Sequence, residues 1–187
     1  MAKWFAIALV AYVTVHYLVW DNVGHRFSTV VPGQVYQSAE MSPDVLVRCA
    51  ATHGIRTVID LRDDRPAVVE AERKALEGAG KRHIHIPLPH DPTRELYQNF
   101  LRQVEQCRKR GETPILVHCT HGYGRSVLAA AIYRIEFEGW SNEAALSGTA
   151  RLPDAWGFAS RLLAPITGFR EKSRKGGFLM QWKRERG

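Results

Sequence analysis

Cysteine is scarce in this sequence, with three residues in 187. Such a low count excludes a small fold held together by disulfides. The three thiols, Cys49, Cys107 and Cys119, form no Cys-x-x-Cys pair, which excludes a zinc ribbon or finger. Glycine (15) and proline (9) are near their average use, so collagen-like and low-complexity chains are excluded too. With 45% hydrophobic residues, the length suits one domain with a substantial core.

Acidic residues are outnumbered: 19 Asp and Glu against 26 Lys and Arg give a net charge of +7. This balance favours anionic partners such as phosphates or anionic lipid. We expect no nucleic-acid partner, because no recognised nucleic-acid module accompanies the charge. Residues 166–187 are interpreted as a basic C-terminal tail, either solvated, folded as a helix with a charged face, or resting on anionic headgroups. Its basic residues are Arg170, Lys172, Arg174, Lys175, Lys183, Arg184 and Arg186.

Residues 4–20, WFAIALVAYVTVHYLVW, contain no charged side chain. As a helix they span about 25 Å, against a hydrocarbon core of about 30 Å. Trp4, Tyr17 and Trp20 lie near the ends, where aromatic rings favour the membrane interface. We therefore predict a membrane-anchor helix over 1–21, with a buried core helix or an interfacial helix as the alternatives. A cleavable signal peptide fits less well, because no small-x-small site follows the apolar run.

Strand and helix patterns alternate through the middle of the chain. Strands are predicted at 34–38, 55–61, 82–86 and 115–118. Helices are predicted at 43–53, 67–77, 96–110 and 126–138, with two more opening at Ser141 and Asp154. This alternation predicts an α/β fold, a single domain with a mainly parallel central sheet flanked by helices. Ligands lie at the carboxyl ends of parallel strands, so the residues after 61, 86 and 118 are the candidate site.

The loop after the strand at 115–118 has the strongest chemical pattern, HCTHGYGRS. Backbone N–H groups ahead of the next helix can form an anion-binding nest, and Gly122 and Gly124 permit the tight backbone this needs. The nest also favours a nucleophilic thiolate at Cys119. Arg125 offers a planar fork for phosphate oxygens. The alternative interpretations are that Cys119 is a structural core residue and that Arg125 is a surface residue at a helix start.

This loop resembles the C-x5-R-S/T signature of cysteine-dependent protein tyrosine and dual-specificity phosphatases. Two further segments, VVPGQVYQSA (31–40) and GIRTVIDLR (54–62), look like the opening segments of the compact atypical dual-specificity phosphatases of bacteria and plants. The resemblance covers about residues 22–165, the expected phosphatase domain. It departs from the family at Gln37, where relatives often carry arginine.

The resemblance implies a two-step hydrolysis of phosphomonoesters without a metal or other cofactor. Cys119 would attack phosphorus and form a phosphocysteine, while Arg125 holds the phosphoryl group. Ser126 would hydrogen-bond the sulfur and help it leave, and His118 would orient the loop. The expected substrate-binding residues are Thr120, His121, Gly122, Tyr123, Gly124 and Arg125.

The family also needs a general acid, and position favours Asp91 in the loop at 87–93. Asp91-Pro92 equally fits an N-cap and first-position proline of the following helix. Asp63 and Asp64 are reserve acids, and His90 is a weaker one. Asp60, at a strand end, is expected to be structural.

Several alternatives stay open. Substrates could be phosphotyrosine or phosphoserine proteins, or small or lipid phosphates. Without a working acid, the protein would be a pseudophosphatase that binds phosphorylated ligands at a membrane; an arsenate reductase is a third possibility. Cys49 and Cys107 are core residues or redox partners of Cys119. Flanking charges weakly favour an external domain, but a thiolate mechanism favours a reducing compartment, so we expect the catalytic domain on the cytoplasmic face.

Overall fold

A five-stranded sheet forms the centre of the computed structural model, which describes residues 2–63, 65–150, 153, 156 and 167–185. The strands run in the order β1-β2-β5-β3-β4. β1 is antiparallel to β2, and the other pairs are parallel, which confirms the mainly parallel α/β prediction. The bounds are β1 Ser28–Val31, β2 Val35–Ala39, β3 Thr57–Asp60, β4 Arg82–His85 and β5 Ile115–Cys119. The sequence patterns indicated all of these except β1.

Helices cover both faces of this sheet. Their bounds are α1 Ala2–Asn22, α2 Pro43–Thr52, α3 Pro66–Gly78, α4 Arg94–Lys109, α5 Arg125–Glu138, α6 Asn142–Ser147 and α7 Arg174–Met180. One core cluster joins residues of α4, α5 and α6 to one face, and a smaller cluster joins α2 and α3 to the other. Neighbouring residues such as Leu116 and Val117 therefore enter opposite clusters, as the pleat requires. The helix predicted to open at Asp154 lies outside the described residues.

The segment predicted to be a basic tail packs against the domain. Phe169, Leu179 and Trp182 are buried in the larger core cluster. Trp182 Nε1 donates a hydrogen bond to the Glu136 carboxylate of α5 at 2.8 Å. Burial of three apolar side chains outweighs the solvation of the intervening charges, so residues 169–182 belong to the same packed unit as the sheet. The predicted boundary at residue 165 lies outside the described residues.

α1 has no such apolar cover. Its window Lys3–Asn22 is long and apolar enough to cross a membrane, and none of it is buried in the protein. Trp4 and Phe5 are among its most exposed side chains. The contacts with the domain occur toward the end of α1, from His16 onward. These observations disfavour a buried core helix and leave an apolar helix outside the domain.

Candidate active site

The loop between β5 and α5 places the predicted signature at the carboxyl edge of the sheet. β5 ends at Cys119 and α5 begins at Arg125. Gly122 has φ +65°, and a Cβ there would lie 2.7 Å from the backbone nitrogen of Ala39. Only glycine fits this close approach in a left-handed conformation. The loop is thereby pressed onto the end of β2, whose last residue pairs with Cys119 in the parallel register.

Cys119 and Ser126 lie together at the base of the loop. The Sγ and Oγ atoms are 3.3 Å apart, within hydrogen-bond reach for sulfur. Ser126 Oγ is also 3.4 Å from the carbonyl oxygen of Ser38. Both Cys119 and Ser126 are buried. The hydroxyl therefore lies within reach of the sulfur, where the family resemblance expects it, and the end of β2 provides its second partner.

Arg125 is held across the entrance by three elements. Its Nη1 donates to the carbonyl oxygen of Leu88 at 3.0 Å, and its Nη2 donates to Thr120 Oγ1 at 3.3 Å. The guanidinium also contacts the Asp63 carboxylate. Burial and the nearby Arg62 charge lower the pKa of Arg125, while Asp60 opposes them. An arginine retains its proton at neutral pH, so Arg125 remains a cation able to grip an anion.

A cavity of about 400 Å³ opens above Cys119. Of the predicted substrate-binding residues, His121, Tyr123, Gly124 and Arg125 line it. Thr120 is held by Arg125, and Gly122 packs onto β2 instead. The side chains of its wall that carry or can gain a positive charge are His90, His121, Arg125, Arg174 and Lys175. Such a lining suits a phosphate or another anion.

Lys175 is a site residue that sequence reasoning missed. Its Nζ donates to the carbonyl oxygen of His90 at 2.9 Å, and its aliphatic chain passes over Gly124. Burial lowers the pKa of Lys175, and the charges of Arg174 and Arg125 lower it further. The cluster of basic residues near 174 was visible in the sequence. The packing of Phe169, Leu179 and Trp182 in the larger core cluster brings it to the cavity, and no local pattern signals those contacts.

Asp91 lies on the rim of the site. Its carboxylate pairs with Arg174 at 2.6 Å, and its side chain is 64% exposed. The helix-cap interpretation of Asp91 is wrong, because α4 begins at Arg94 with Thr93 in the N-cap position. Asp91 thus lies two positions before the cap, and the carboxylate is left without that structural role. Of the reserve acids, Asp63 contacts Arg125 and Asp64 lies outside the described residues.

A buried charge network lies behind the nucleophile. Arg62 Nη2 is 2.7 Å from Asp60 Oδ2 and 2.6 Å from Glu72 Oε2. His118 Nε2 is 2.9 Å from Glu72 Oε1. All four residues are at most 1% exposed. His118 directly precedes Cys119, so the network anchors the end of β5 to α3, and Asp60 is structural as predicted.

The network holds both carboxylates in their charged form. Burial raises the pKa of Glu72, but hydrogen bonds from His118 and His83 and the Arg62 charge outweigh it and depress that pKa strongly. Burial raises the pKa of Asp60 as well, but the hydrogen bond from Arg62 and its charge outweigh this effect, so the pKa of Asp60 is lowered. A signal for this role existed, because Glu72 occupies the apolar face of α3 four residues before the buried Leu76.

The same groups include the donor types of a metal site. Ligand atoms of Asp60, Glu72 and His118 lie within 4.8 Å of one another. The Arg62 guanidinium already lies between the two carboxylates and donates hydrogen bonds to both. A divalent ion would have to displace this buried cation, so the donor set fits an ion-pair network better than a metal centre.

The remaining cysteines are free thiols in the described structure. Burial raises the pKa of Cys49 to about 11. Cys49 packs against the smaller core cluster, whereas Cys119 belongs to the larger one on the other face of the sheet. Cys107 is fully buried on α4, and burial raises its pKa as well. Both environments suit the core interpretation of these two residues.

Solved structures show the same fold. The crystal structure of TpbA from Pseudomonas aeruginosa aligns with a TM-score of 0.62, at 24% identity and over 86% of each chain. A TpbA variant crystallised in complex with pTyr aligns with a TM-score of 0.61, at 23% identity and over 84% of each chain. At these identities the likeness is one of fold.

Sequence comparison gives closer relations. The dual specificity protein phosphatase TpbA of P. aeruginosa is 33% identical over 99 residues. That alignment covers 52% of this chain and 41% of TpbA, so less than half of the relative's length is matched. The family model described as "Polymorphic toxin system, DSP-PTPase phosphatase" matches residues 34–137, which include β2 to α5 and the whole signature loop. The chain therefore belongs to this DSP-PTPase phosphatase family.

Proposed function

We propose that this protein hydrolyses phosphomonoesters through a phosphocysteine intermediate. The observation that carries the proposal is Cys119 at the floor of a cationic cavity, with Ser126 Oγ 3.3 Å from its sulfur and Arg125 across the entrance. Family membership supports the same reaction class. The substrate class at this level is any phosphorylated protein, small molecule or lipid whose phosphate reaches the loop.

In the first step the Cys119 thiolate attacks phosphorus. A sulfur–phosphorus bond forms as the bond from phosphorus to the leaving oxygen breaks, and that oxygen takes a proton from the general acid. Arg125 and the loop N–H groups balance the charge on the phosphoryl oxygens. The alcohol product then leaves the cavity.

In the second step water attacks the phosphocysteine. The acid, now a carboxylate, accepts a proton from that water as the sulfur–phosphorus bond breaks. The Ser126 hydroxyl donates a hydrogen bond to the departing thiolate. Inorganic phosphate leaves, and the starting protonation states are restored without any redox partner or metal.

Asp91 is the proposed acid. The loop at 87–93 that contains it also provides the Leu88 carbonyl to Arg125 and the His90 carbonyl to Lys175, so this loop is built over the site. Loss of the helix-cap role at Asp91 removes the competing explanation for its position. Asp63 is the rival, because its carboxylate touches Arg125 directly.

The second candidate function is a binding module without turnover. It is favoured by the pairing of Asp91 with Arg174 at 2.6 Å, because a carboxylate paired with a cation is a poorer proton donor. The anion-binding features at Arg125 and the loop would then hold a phosphorylated ligand. This pseudophosphatase keeps the cavity and lacks the proton transfer.

The apolar helix α1 is proposed to anchor the protein in a membrane. Its length and exposed apolar surface support this role, as does the absence of domain contacts in the described structure before His16. The domain that follows then includes the packed segment up to 185 in addition to 22–165. A reactive thiol at Cys119 favours the cytoplasmic face.

The test is hydrolysis of para-nitrophenyl phosphate by the full chain in reducing, metal-free buffer. We expect turnover that falls to background in Cys119→Ser. Cys49→Ser is the matched control, since this thiol lies at the opposite face of the sheet, and it should retain activity. A folded protein that is inactive from about pH 5 to pH 8 yet binds orthovanadate would overturn the hydrolase and support the binding module.

A further inference from the structure

The end of α1 is joined directly to the phosphate-binding loop. Tyr123 Oη donates to Asp21 Oδ1 at 2.7 Å and is 3.5 Å from Tyr17 Oη. The Arg26 guanidinium stacks 3.6 Å from the centre of the Tyr123 ring and donates to the carbonyl oxygen of His121 at 2.5 Å. Arg26 also pairs with Asp21. Two residues of the cavity wall are thus held by the helix end.

The backbone at this junction is locked as well. His25 and Arg26 both adopt positive φ, +49° and +52°, which is uncommon for residues with side chains. The carbonyl oxygen of His25 accepts from the Ala39 nitrogen at 2.7 Å. Ala39 is also the residue onto which Gly122 packs. The helix end, the end of β2 and the loop therefore form one rigid unit.

Helix length fixes the depth of this unit in a bilayer. The domain already contacts His16, because Trp156 Nε1 donates to His16 Nδ1 at 3.0 Å. Residues 3–15 alone reach only about 20 Å, well short of the hydrocarbon core of about 30 Å. A span by Lys3–Asn22 covers about 30 Å and brings Asp21, near its end, to the membrane boundary, whereas His16 then lies about 9 Å inside the core. Because Tyr123 is hydrogen-bonded to Asp21, the span places Tyr123 and the mouth of the cavity beside the headgroup layer.

A second cavity continues the site toward α1. It measures about 650 Å³ and is lined by Tyr17 of the helix together with Tyr123, Phe169, Arg170 and Ser173. The catalytic cavity shares Tyr123, Phe169 and Ser173 with it. A groove thus leads from Cys119 to the helix, and its wall combines aromatic rings with the exposed Arg170.

From this placement we propose that the substrate is a phosphomonoester lipid held in the bilayer. This inference rests on the proposed phosphatase function. The lipid phosphate would enter above Cys119, and its glycerol or sugar portion would occupy the groove beside Tyr17. The reaction is the two-step hydrolysis already described: inorganic phosphate is released, and the lipid alcohol, carrying the proton from the acid, stays in the membrane. A groove that opens beside the anchor favours a lipid over a protein substrate.

The experiment uses the full chain reconstituted in phosphatidylcholine vesicles that contain phosphatidic acid. Release of phosphate is compared with that from glycerol 3-phosphate, which has the same phosphate ester without acyl chains, and from a phosphotyrosyl peptide. We expect kcat/KM for phosphatidic acid to exceed both soluble values by about tenfold or more. Para-nitrophenyl phosphate, assayed in the same vesicles, reports whether the catalytic site itself works.

A variant in the groove adds a second readout. Arg170→Glu should lower the ratio of phosphatidic acid to para-nitrophenyl phosphate hydrolysis by about tenfold, since it reverses a charge beside the lipid path. Arg48→Glu, an exposed position on α2, is the control and should leave that ratio unchanged.

Three results are decisive. If the protein cleaves para-nitrophenyl phosphate but turns over phosphatidic acid no faster than glycerol 3-phosphate, the lipid inference is overturned and the phosphatase stands. Faster hydrolysis of the phosphotyrosyl peptide would assign a protein substrate instead. If para-nitrophenyl phosphate is not cleaved either, the proposed function itself fails.

Discussion

The charges behind Cys119 and the charges in front of it are organised in opposite ways. Behind the nucleophile, Asp60, Arg62 and Glu72 are completely buried and mutually bonded. In front of it, Asp63 and Asp91 are largely exposed, and each touches a cation at the cavity. Buried ion pairs cannot be broken cheaply, whereas exposed pairs exchange readily with water. The site thus combines a fixed back wall with a front that can rearrange around a ligand.

The largest effect is expected from breaking the back wall. Arg62→Met should lower the free energy of unfolding by about 3–5 kcal/mol, because Asp60 and Glu72 would be left buried without their cation. Urea unfolding measures this change. The control is Arg73→Met on the exposed side of α3, whose pairs with Glu70 and Glu77 are solvent-accessible; its unfolding midpoint should barely move. Equal midpoints for the two variants would contradict the contrast between back and front.

Lowering the pH should reduce the free energy of unfolding by less than Arg62→Met does, since a protonated carboxyl group stays in place and can still form hydrogen bonds. The folded-state pKa values of Asp60 and Glu72 are depressed, so their stabilisation is fully present above the ordinary carboxyl pKa of about 4. It is lost progressively as the pH falls below that value. Unfolding measured between about pH 6 and pH 2 should therefore show a weaker pH dependence for Glu72→Gln than for the natural chain. Parallel curves would contradict this assignment.

On the front side, Asp91→Asn should lower kcat by about 10²-fold, the usual worth of a positioned general acid. Its fold should be unaffected, because the carboxylate is exposed and caps no helix. Asp63→Asn is the matched comparison: it removes a contact of Arg125 and should change KM more than kcat. The reverse pattern in steady-state kinetics would transfer the acid role from Asp91 to Asp63.

The smallest effect is expected at Lys175. Lys175→Met should raise KM for para-nitrophenyl phosphate about tenfold with a lesser change in kcat, because a cation is lost from the cavity wall. In the natural chain, KM should rise as the pH increases and Lys175 loses its proton, and because the pKa of Lys175 is lowered, this rise should begin below the ordinary lysine value of about 10.4. Lys172→Met, at an exposed neighbouring position, should match the natural chain. An unchanged KM would remove Lys175 from the binding surface.

The parts of the fold predicted from sequence are those with local causes. Alternation and β-branched runs predicted β2 to β5 with every strand end within two residues of its observed position. The motif from Cys119 to Ser126 predicted the position of its loop. β1 was missed because its four residues are ordered by pairing with β2 rather than by a pattern of their own. The alternative that put the N-cap of α4 at Asp91 is two residues early, since Asp91-Pro92 matches the local sequence rule while Thr93 occupies the N-cap position.

The parts of the site that were not predicted depend on contacts that form only when the chain packs into its core. Arg62 belongs to a stretch that looks like a charged loop, yet Glu72 and Asp60 draw it into the interior. Lys175 belongs to a basic stretch, yet Phe169 and Trp182 pull that stretch onto the core. In both cases a few buried partners override the surface character of the local sequence.

The contribution of α7 to the cavity also has a consequence in time. Synthesis delivers Cys119 before Lys175, and the 56 residues at 120–175 take roughly 3–11 s at the usual pace of about 5–20 residues per second. During that interval the nascent chain has its nucleophile without Phe169 or Lys175 beside it. The thiol is then open to oxidants and to wrong partners on the ribosome. A reducing environment is therefore most important to this protein before α7 has been synthesised.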